Sequence, residues 1–486
     1  MTNKEVRNLH PKELWNRFAD LNAVPRPSKK EEKVRTLIKD FGHSLKLVTL
    51  EDETGNVLIK KPATSGFENR KKVILQSHLD MVCQKNSGVS FNFETDGIKM
   101  TVNGDWVHAI GTTLGADNGI GVAALMAVLA SDTIEHPAIE ALFTIDEETG
   151  MTGAFGLKPG FLSGDILLNL DTEEDDEIDI GCAGGVDVTA TAGYGEIEIP
   201  KNYQSYLLIL KGLHGGHSGM EIHKGLGNSN KLLNRFLFEF LDYGIRMVSF
   251  DGGGLRNAIP REAQAVFSIS EDKQNEVDAR FRQLKKDILA EYASIEENLI
   301  IELTPTEQAK MAPDFDAGQK FILALQAAHN GVFRMSPDIE NLVEASNNIA
   351  RVELKEGKAA VLCLTRSSVE SSKSWVATSL KAVFELAEMR VECTGSYPGW
   401  KPDPNSEILK LAESIYEELN GKKPSVIACH AGLECGIIGE KYPDIEMISF
   451  GPTIKGAHSP KEKVSISSVQ KFWIYLQEIL KNIPVK

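Results

Sequence analysis

The chain has 486 residues, more than one hydrophobic core usually organises, so two or more domains are expected. With 42% hydrophobic and 25% charged residues it has the composition of an ordinary globular protein, which excludes a disordered or fibrous chain. A formal net charge of -16 argues against nucleic acid or an anionic membrane as the main partner, since both need Lys/Arg-rich patches. The stretch Met1 to Arg7 lacks an apolar signal-peptide core, and no apolar run is long enough to span a bilayer, so a cytoplasmic location is expected. The six cysteines are scattered without C-x-x-C spacing, which suggests neither a thiolate zinc site nor a disulfide framework.

Up to about residue 185, β-branched apolar runs alternate with stretches of helical period. Val73 to Leu75, Ile139 to Ile145 and Ile166 to Leu170 read as buried strands, with a helix over Ile120 to Leu129. That texture predicts an α/β domain with a mostly parallel sheet and flanking helices. From Ser205 the rhythm changes to strand (Tyr206 to Leu210), helix (Leu226 to Leu241), strand (Ile245 to Phe250), strand (Ala263 to Ser268), helix (Glu271 to Tyr292) and strand (Leu299 to Leu303). This is the β-α-β-β-α-β order of a ferredoxin-like module. A partial second copy follows as a helix (Gln319 to His329), two strands (Leu342 to Leu354, Ala359 to Leu364), a helix (Ser371 to Ala387) and a strand (Met389 to Cys393). After the Gly/Pro-rich stretch Gly395 to Pro404 the α/β texture returns, with a helix over Glu407 to Leu419, a strand over Ile445 to Phe450 and a closing helix over Ser467 to Lys481. The expected organisation is a discontinuous catalytic domain (1–186 and 395–486) interrupted by an α+β lid domain of two ferredoxin-like modules (187–394).

Acids and histidines stand where these strands, or a helix start, meet loops. Gln76-Ser77-His78-Leu79-Asp80 follows the first strand, Asp146-Glu147-Glu148 the second, and Asp171 the third. Asp117 immediately precedes the Ile120 helix, and Ala457-His458-Ser459-Pro460 comes soon after the Ile445 to Phe450 strand. In an open α/β sheet such groups converge in the crevice beyond the carboxyl ends of the strands. Singly each has an ordinary explanation: a helix N-cap for Asp117, a solvated loop for Asp171, an exposed turn for Glu147 and Glu148, a hydrogen-bonded core imidazole for His78 or His458. Together they form a nitrogen and oxygen donor set suited to zinc, manganese or cobalt, and the absence of thiolates fits a catalytic site.

The series His78-Leu79-Asp80, Gly115-Ala116-Asp117-Asn118, Asp146-Glu147-Glu148-Thr149-Gly150, Leu170-Asp171 and Ala457-His458-Ser459-Pro460 resembles the signature of the co-catalytic zinc peptidases, the family that includes carboxypeptidase G, aminoacylases, carnosinases and desuccinylases. Within that family, Ser77 to Val82 and Thr113 to Gly121 are most similar to the bacterial aminoacyl-histidine dipeptidases, also called cytosol nonspecific dipeptidases. The resemblance implies two divalent metal ions, with zinc the first choice and manganese or cobalt as alternatives. Asp117 would bridge them, His78 and Asp171 would complete one, and Glu148 and His458 the other. Asp80 would orient His78, and Glu147 would be the general base.

His217, in Leu213-His214-Gly215-Gly216-His217-Ser218-Gly219, matches the family's oxyanion-stabilising histidine. Taken alone, the cluster His214, His217 and His223 reads equally as a further metal site or as loop polarity. Asn257, Arg366 and Gly432 match positions that hold the substrate carboxylate or line its pocket. The implied activity is hydrolysis of dipeptides, including Xaa-His and β-alanyl-histidine, with acyl-amino-acid deacylation or desuccinylation as the alternative chemistry and a catalytically silent binding module as the alternative class. Relatives with a single lid module take the oxyanion histidine from a partner subunit. A second module in the same chain implies a site complete within one chain, whether or not it forms a homodimer.

Overall fold

The computed structural model describes residues 3–486. The chain divides into two compact units: one holds the residues up to Gly181 with Trp400–Ala428 and Leu433–Lys486, the other Cys182–Gly399 with Cys429–Gly432.

The first unit is built on a mixed eight-stranded sheet whose central strands are parallel. Val73–His78 lies between Ile139–Thr144 and Ile166–Asn169, parallel to both, and Glu446–Ser449 extends the parallel run beside Ile166–Asn169. Every residue of Val73–His78 and of Ile139–Thr144 is buried. A continuous buried run of this kind is the signature of a parallel strand covered on both faces. The covering helix Ala116–Ala130 is alanine-rich and buried along nearly its whole length, and it packs on the Val73–His78 strand and on the helix Lys12–Leu21. That second helix is amphipathic, burying Leu14, Trp15, Phe18, Ala19 and Leu21 along one stripe.

Val48–Glu51 and Val57–Lys61, which sequence periodicity did not reveal, form an antiparallel edge. A smaller four-stranded sheet joins Met100–Asn103 and Trp106–Ala109 to the hairpin Ile454–Lys455 and Lys463–Ser465. His458 therefore sits on the turn of a pinned hairpin, the short loop expected after the Ile445 to Phe450 strand.

The second unit is organised on one antiparallel sheet in the order Ile300–Pro305, Tyr203–Lys211, Ala263–Ser270, Arg246–Gly253, Val343–Lys355, Lys358–Ser367, Gly184–Gly193, Arg390–Tyr397. The first four are one ferredoxin-like module, with its fourth strand beside its first and its third between first and second. The second copy, which lacked a first strand when read from sequence, is completed by Gly184–Gly193. That strand precedes the whole first module in the chain, so one module is threaded into the other between its first strand and its first helix. Arg246–Gly253 and Val343–Lys355 pair across the seam. The last strand runs on to Tyr397, through the start of the stretch that composition marked as a linker. Phe236, Phe240 and Phe267 form part of the core between this sheet and its helices and have no exposed surface. Each such phenylalanine stabilises the unit by about 1.5–3 kcal/mol relative to exposure.

Candidate metal centre

The parallel strands of the first unit end in register: His78 stands opposite Thr144, Gln76 opposite Asn169, and Ser449 opposite Asn169. Their outgoing loops therefore open on one side of the sheet. His78 is the last residue of its strand, Glu147 and Glu148 start a helical turn just past Thr144, and Asp171 lies two residues past Asn169. Asp117 enters through the turn that starts the Ala116–Ala130 helix. Gly115 has φ 68°, a conformation open to glycine, and a Cβ there would lie 2.4 Å from Arg26 Nη2.

Six of the expected residues meet here. Asp117 Oδ1 is 3.1 Å from His78 Nε2, and Oδ2 is 3.2 Å from His458 Nε2, so one carboxylate divides between two imidazoles. Asp171 Oδ1 is 3.4 Å from the same His78 nitrogen, and Glu148 Oε2 is 3.1 Å from His458 Nε2. His78, Asp117 and Asp171 form one grouping of ligand-type atoms, Asp117, Glu148 and His458 a second, and both share Asp117. Glu147 completes a third with His78 and Glu148. All donors are nitrogen or oxygen, and Glu148 Oε1 is buried with no hydrogen-bond partner. The donor chemistry and the shared carboxylate fit a pair of divalent cations of borderline hardness.

Asp80 has no exposed surface and lies behind His78, Oδ1 being 3.4 Å from its Nδ1. It also accepts the backbone N–H groups of Glu147 at 3.0 Å and Glu148 at 3.2 Å and the Ser28 hydroxyl at 2.8 Å. One carboxylate thus stands behind the imidazole and accepts the backbone of the two glutamates. A further buried trio, Glu31, Asp80 and Asp146, is engaged by local donors: Glu31 Oε1 accepts Lys29 N–H and Asp146 N–H, and Asp146 accepts the hydroxyls of Thr149 and Thr152. These bonds order the loop.

The electrostatics follow from burial and pairing. Burial opposes ionisation of Asp117, but hydrogen bonds from His458 and His78 hold its carboxyl below the usual range. Burial would lower His78, yet the charge of Asp171 and hydrogen bonds to the surrounding carboxylates raise it well above the usual imidazole value. Hydrogen bonds to Asp117 and Glu148 push His458 up to about 11. Burial, reinforced by Asp171, Glu434 and Glu148, raises Glu147 well above an ordinary glutamate. Burial pushes the Cys83 thiol up to about 11, which leaves it unreactive as a nucleophile at neutral pH.

The second unit gathers its own polar group. His217 Nδ1 accepts the backbone N–H of Gly219 at 3.2 Å and of Met220 at 3.0 Å. Burial, together with the Arg366 charge, lowers its pKa, so the ring is neutral with its proton on Nε2. Arg366 is buried and donates to the Tyr397 hydroxyl at 2.8 Å, while its Nε has no partner. His430 meets the Ser346 hydroxyl at 2.8 Å, and burial beside Arg366 lowers it to about 3. A Cβ on Gly219 would touch His217, Arg366 and the His430 carbonyl, which shows how closely the three converge. Asn257 is exposed and bonds Ser218 through its backbone carbonyl at 2.8 Å, and Gly432 is half-buried beyond His430. His214 is engaged by Glu296 at 2.9 Å, and no metal-type grouping among the described residues includes His214, His217 or His223.

Sequence reasoning missed Arg26, Gln76, Thr144, Tyr397, His430, Glu434 and Glu462 as members of these sites. Glu434 is buried, accepts Gln76 Nε2 and the Thr144 hydroxyl at 2.7 Å each, and burial pushes it up to about 7. The available signals were an acid two residues after Gly432 and another four residues after His458. The second is flanked by Lys461 and Lys463, a setting typical of an exposed charge.

Residues 74–482 match the model of peptidase family M20/M25/M40. The cytosol non-specific dipeptidase of Escherichia coli (strain K12) is 44% identical over 485 residues, covering 99% of this chain and 100% of that protein. The crystal structure of an aminoacylhistidine dipeptidase from Vibrio alginolyticus matches with a TM-score of 0.95 and 46% identity, covering 100% of this chain and 99% of that one. Aminopeptidase PepT from Bacillus cereus ATCC 10987, at 16% identity and TM-score 0.57 over 98% of this chain and 99% of that one, shares the fold. With its acids and histidines at strand ends, its shared aspartate and this full-length similarity, the chain belongs to peptidase family M20/M25/M40 and is a hydrolase.

Proposed function

We propose that the chain hydrolyses the peptide bond of dipeptides, with broad specificity that includes Xaa-His and β-alanyl-histidine, at a centre of two divalent ions. The observation that carries this is the division of Asp117 between His78 and His458, which gives two ligand groupings one common carboxylate. The similarity to two dipeptidases along the whole chain supports the substrate class. His78 and Asp171 would hold one ion, Glu148 and His458 the other, with zinc the first choice and manganese or cobalt able to substitute. When bound, such a pair polarises a carbonyl oxygen and makes water a competent nucleophile near neutral pH.

The chain's own groups do the rest. Glu147, whose backbone Asp80 fixes, takes a proton from the attacking water on its carboxylate and returns it to the leaving nitrogen. His217 offers an Nε2–H to the oxyanion, a role suited to a neutral imidazole whose Nδ1 is already engaged. Arg366 binds the substrate carboxylate, with Asn257 and Gly432 lining its pocket. Both ferredoxin-like modules lie in one chain, which supports a site complete without a partner subunit, homodimer or not. No helix among the described residues is long and apolar enough to cross a membrane, and the named relative from Escherichia coli is a cytosol enzyme; we place this one in the cytoplasm too.

The test is turnover of β-alanyl-histidine, glycyl-histidine, leucyl-glycine, N-acetyl-methionine and a tripeptide, by metal-stripped and reloaded protein. Metal-dependent cleavage of dipeptides is expected. Cleavage of the acetylated compound alone would reassign the chain as a deacylase, and no turnover with any metal would refute an enzymatic role.

A further inference from the structure

Two buried, oppositely charged residues outside the ligand set, Arg26 and Glu462, are 1% and 2% exposed. Glu462 Oε2 accepts the backbone N–H of Leu114 at 2.7 Å and Gly115 at 2.9 Å, and Oε1 those of Ala116 at 2.7 Å and Asp117 at 3.3 Å. One carboxylate therefore collects four successive amides of the turn that carries Asp117. These include donors that the start of the Ala116–Ala130 helix leaves without intrahelical partners. Glu462 lies four residues after His458, in the same hairpin turn, and its own N–H is bonded to the Ser459 carbonyl at 3.0 Å. Arg26 ties the other side. Its Nη1 donates to the carbonyls of Leu79 at 3.1 Å and Asp80 at 2.9 Å, and its Nη2 to Asn22 Oδ1 at 3.2 Å and to the Gly115 carbonyl. Of the charges acting on Arg26, Glu462 is the strongest attraction.

Three ligand-bearing segments thus meet at this pair: the one after His78 through Arg26, the one before Asp117 through both residues, and the His458 hairpin through Glu462. The bonds from these two side chains to the His78 and Asp117 segments are long-range in sequence, and none uses a ligand side chain. Replacing buried charges by apolar groups is often neutral for stability, so the contacts these two side chains make point to a role in geometry.

We propose that Arg26 and Glu462 are positioning residues, two buried charged side chains that fasten the His78, Asp117 and His458 segments together so that the ligand atoms are set for metal. This rests on the two-ion reading above. The shared aspartate is placed by Glu462 through its backbone, and its side chain stays available to the ions.

The test uses the full-length chain, metal-stripped, titrated with cobalt(II) against a chromophoric chelator while the visible absorption of bound cobalt is recorded. Glu462→Gln should weaken cobalt affinity about 10–100-fold, change the cobalt spectrum, and lower kcat for a dipeptide with little effect on KM. Glu462→Asp, which keeps the charge, should recover part of the loss. Should Glu462→Gln fail to fold, the double variant Arg26→Met/Glu462→Gln decides, since it leaves no buried charge unpaired. Circular dichroism reports the fold in each case. Folded variants with wild-type affinity and spectrum would overturn the proposal. So would a double variant that does not fold, because the pair would then be holding the core and not the ligands. Failure of the wild type itself to bind cobalt would overturn the two-ion reading along with this one.

Discussion

Replacing Asp80 by asparagine changes almost no volume and removes one charge, so its effect can be worked from the contacts. The carboxylate accepts Glu147 N–H at 3.0 Å, Glu148 N–H at 3.2 Å and the Ser28 hydroxyl at 2.8 Å, with His78 Nδ1 at 3.4 Å. Asparagine offers one acceptor oxygen and one NH₂ donor. With its oxygen toward Glu147 and His78, the NH₂ faces the Glu148 N–H; turned over, it faces the Glu147 N–H and His78 Nδ1. The Ser28 hydroxyl can reverse and accept, but a backbone amide cannot. Either orientation strands at least one buried N–H, at about 1–3 kcal/mol, and the surviving bonds fall from charge-assisted to neutral strength. A loss of about 2–4 kcal/mol is expected in the metal-free protein, with zinc affinity lowered about 10–100-fold because His78 loses its orienting carboxylate. Trp15, Trp106, Trp400 and Trp473 all lie in the unit that holds the site, so urea unfolding followed by tryptophan fluorescence reads this loss directly. Zinc competition reads the affinity. An unchanged urea midpoint together with unchanged zinc affinity would refute the assignment of Asp80 as the group that aims His78 and fixes the glutamate turn.

Glu147→Gln should lower kcat about 10²–10⁴-fold while zinc still binds, and kcat within tenfold of wild type would remove Glu147 as the base. In the metal-free protein His458 is raised from 6.5 to about 11 by its carboxylate partners. Its pairing therefore stabilises that form fully below about pH 6.5 and is lost as pH rises through about 11. An incoming ion must displace this proton, so zinc affinity should rise about tenfold per pH unit for His458 alone near neutrality, and calorimetry in buffers of different ionisation heat should detect the release. Affinity that does not depend on pH or buffer would contradict the pairing. Gly115→Ala puts a Cβ at φ 68° and 2.4 Å from Arg26 Nη2. It should cost more than about 1 kcal/mol and weaken metal binding, as measured by urea unfolding and zinc competition; a neutral effect would show that this turn is not confined.

Local chemistry made much of the first unit legible. The apolar runs ending in His78, Asp146-Glu147-Glu148 and Asp171 read as buried parallel strands because both faces of such strands must be covered, and the structure has them so. The first ferredoxin-like module was equally plain, since its six elements are contiguous. The second was not. Its first strand, Gly184–Gly193, is separated from its first helix, Phe315–Ala327, by the entire first module, and periodicity cannot pair segments that are distant in the chain. The exposed edge strand Val48–Glu51, its neighbour Val57–Lys61 and the short hairpin that pins His458 were too brief or too mixed in pattern to stand out.

The sequence by itself determined which residue types are present to ligate metal, which strand ends deliver them, and the family to which their order belongs, because these follow from short-range pattern. Only the tertiary structure decided that Asp117 divides between two histidines, that Asp80 serves His78 and two backbone amides at once, and that Arg26 and Glu462 are buried between the ligand loops. A charge flanked by lysines reads as solvated until folding brings to it four amides from the far end of the chain, and burial together with those donors, not its neighbours in sequence, sets what it does.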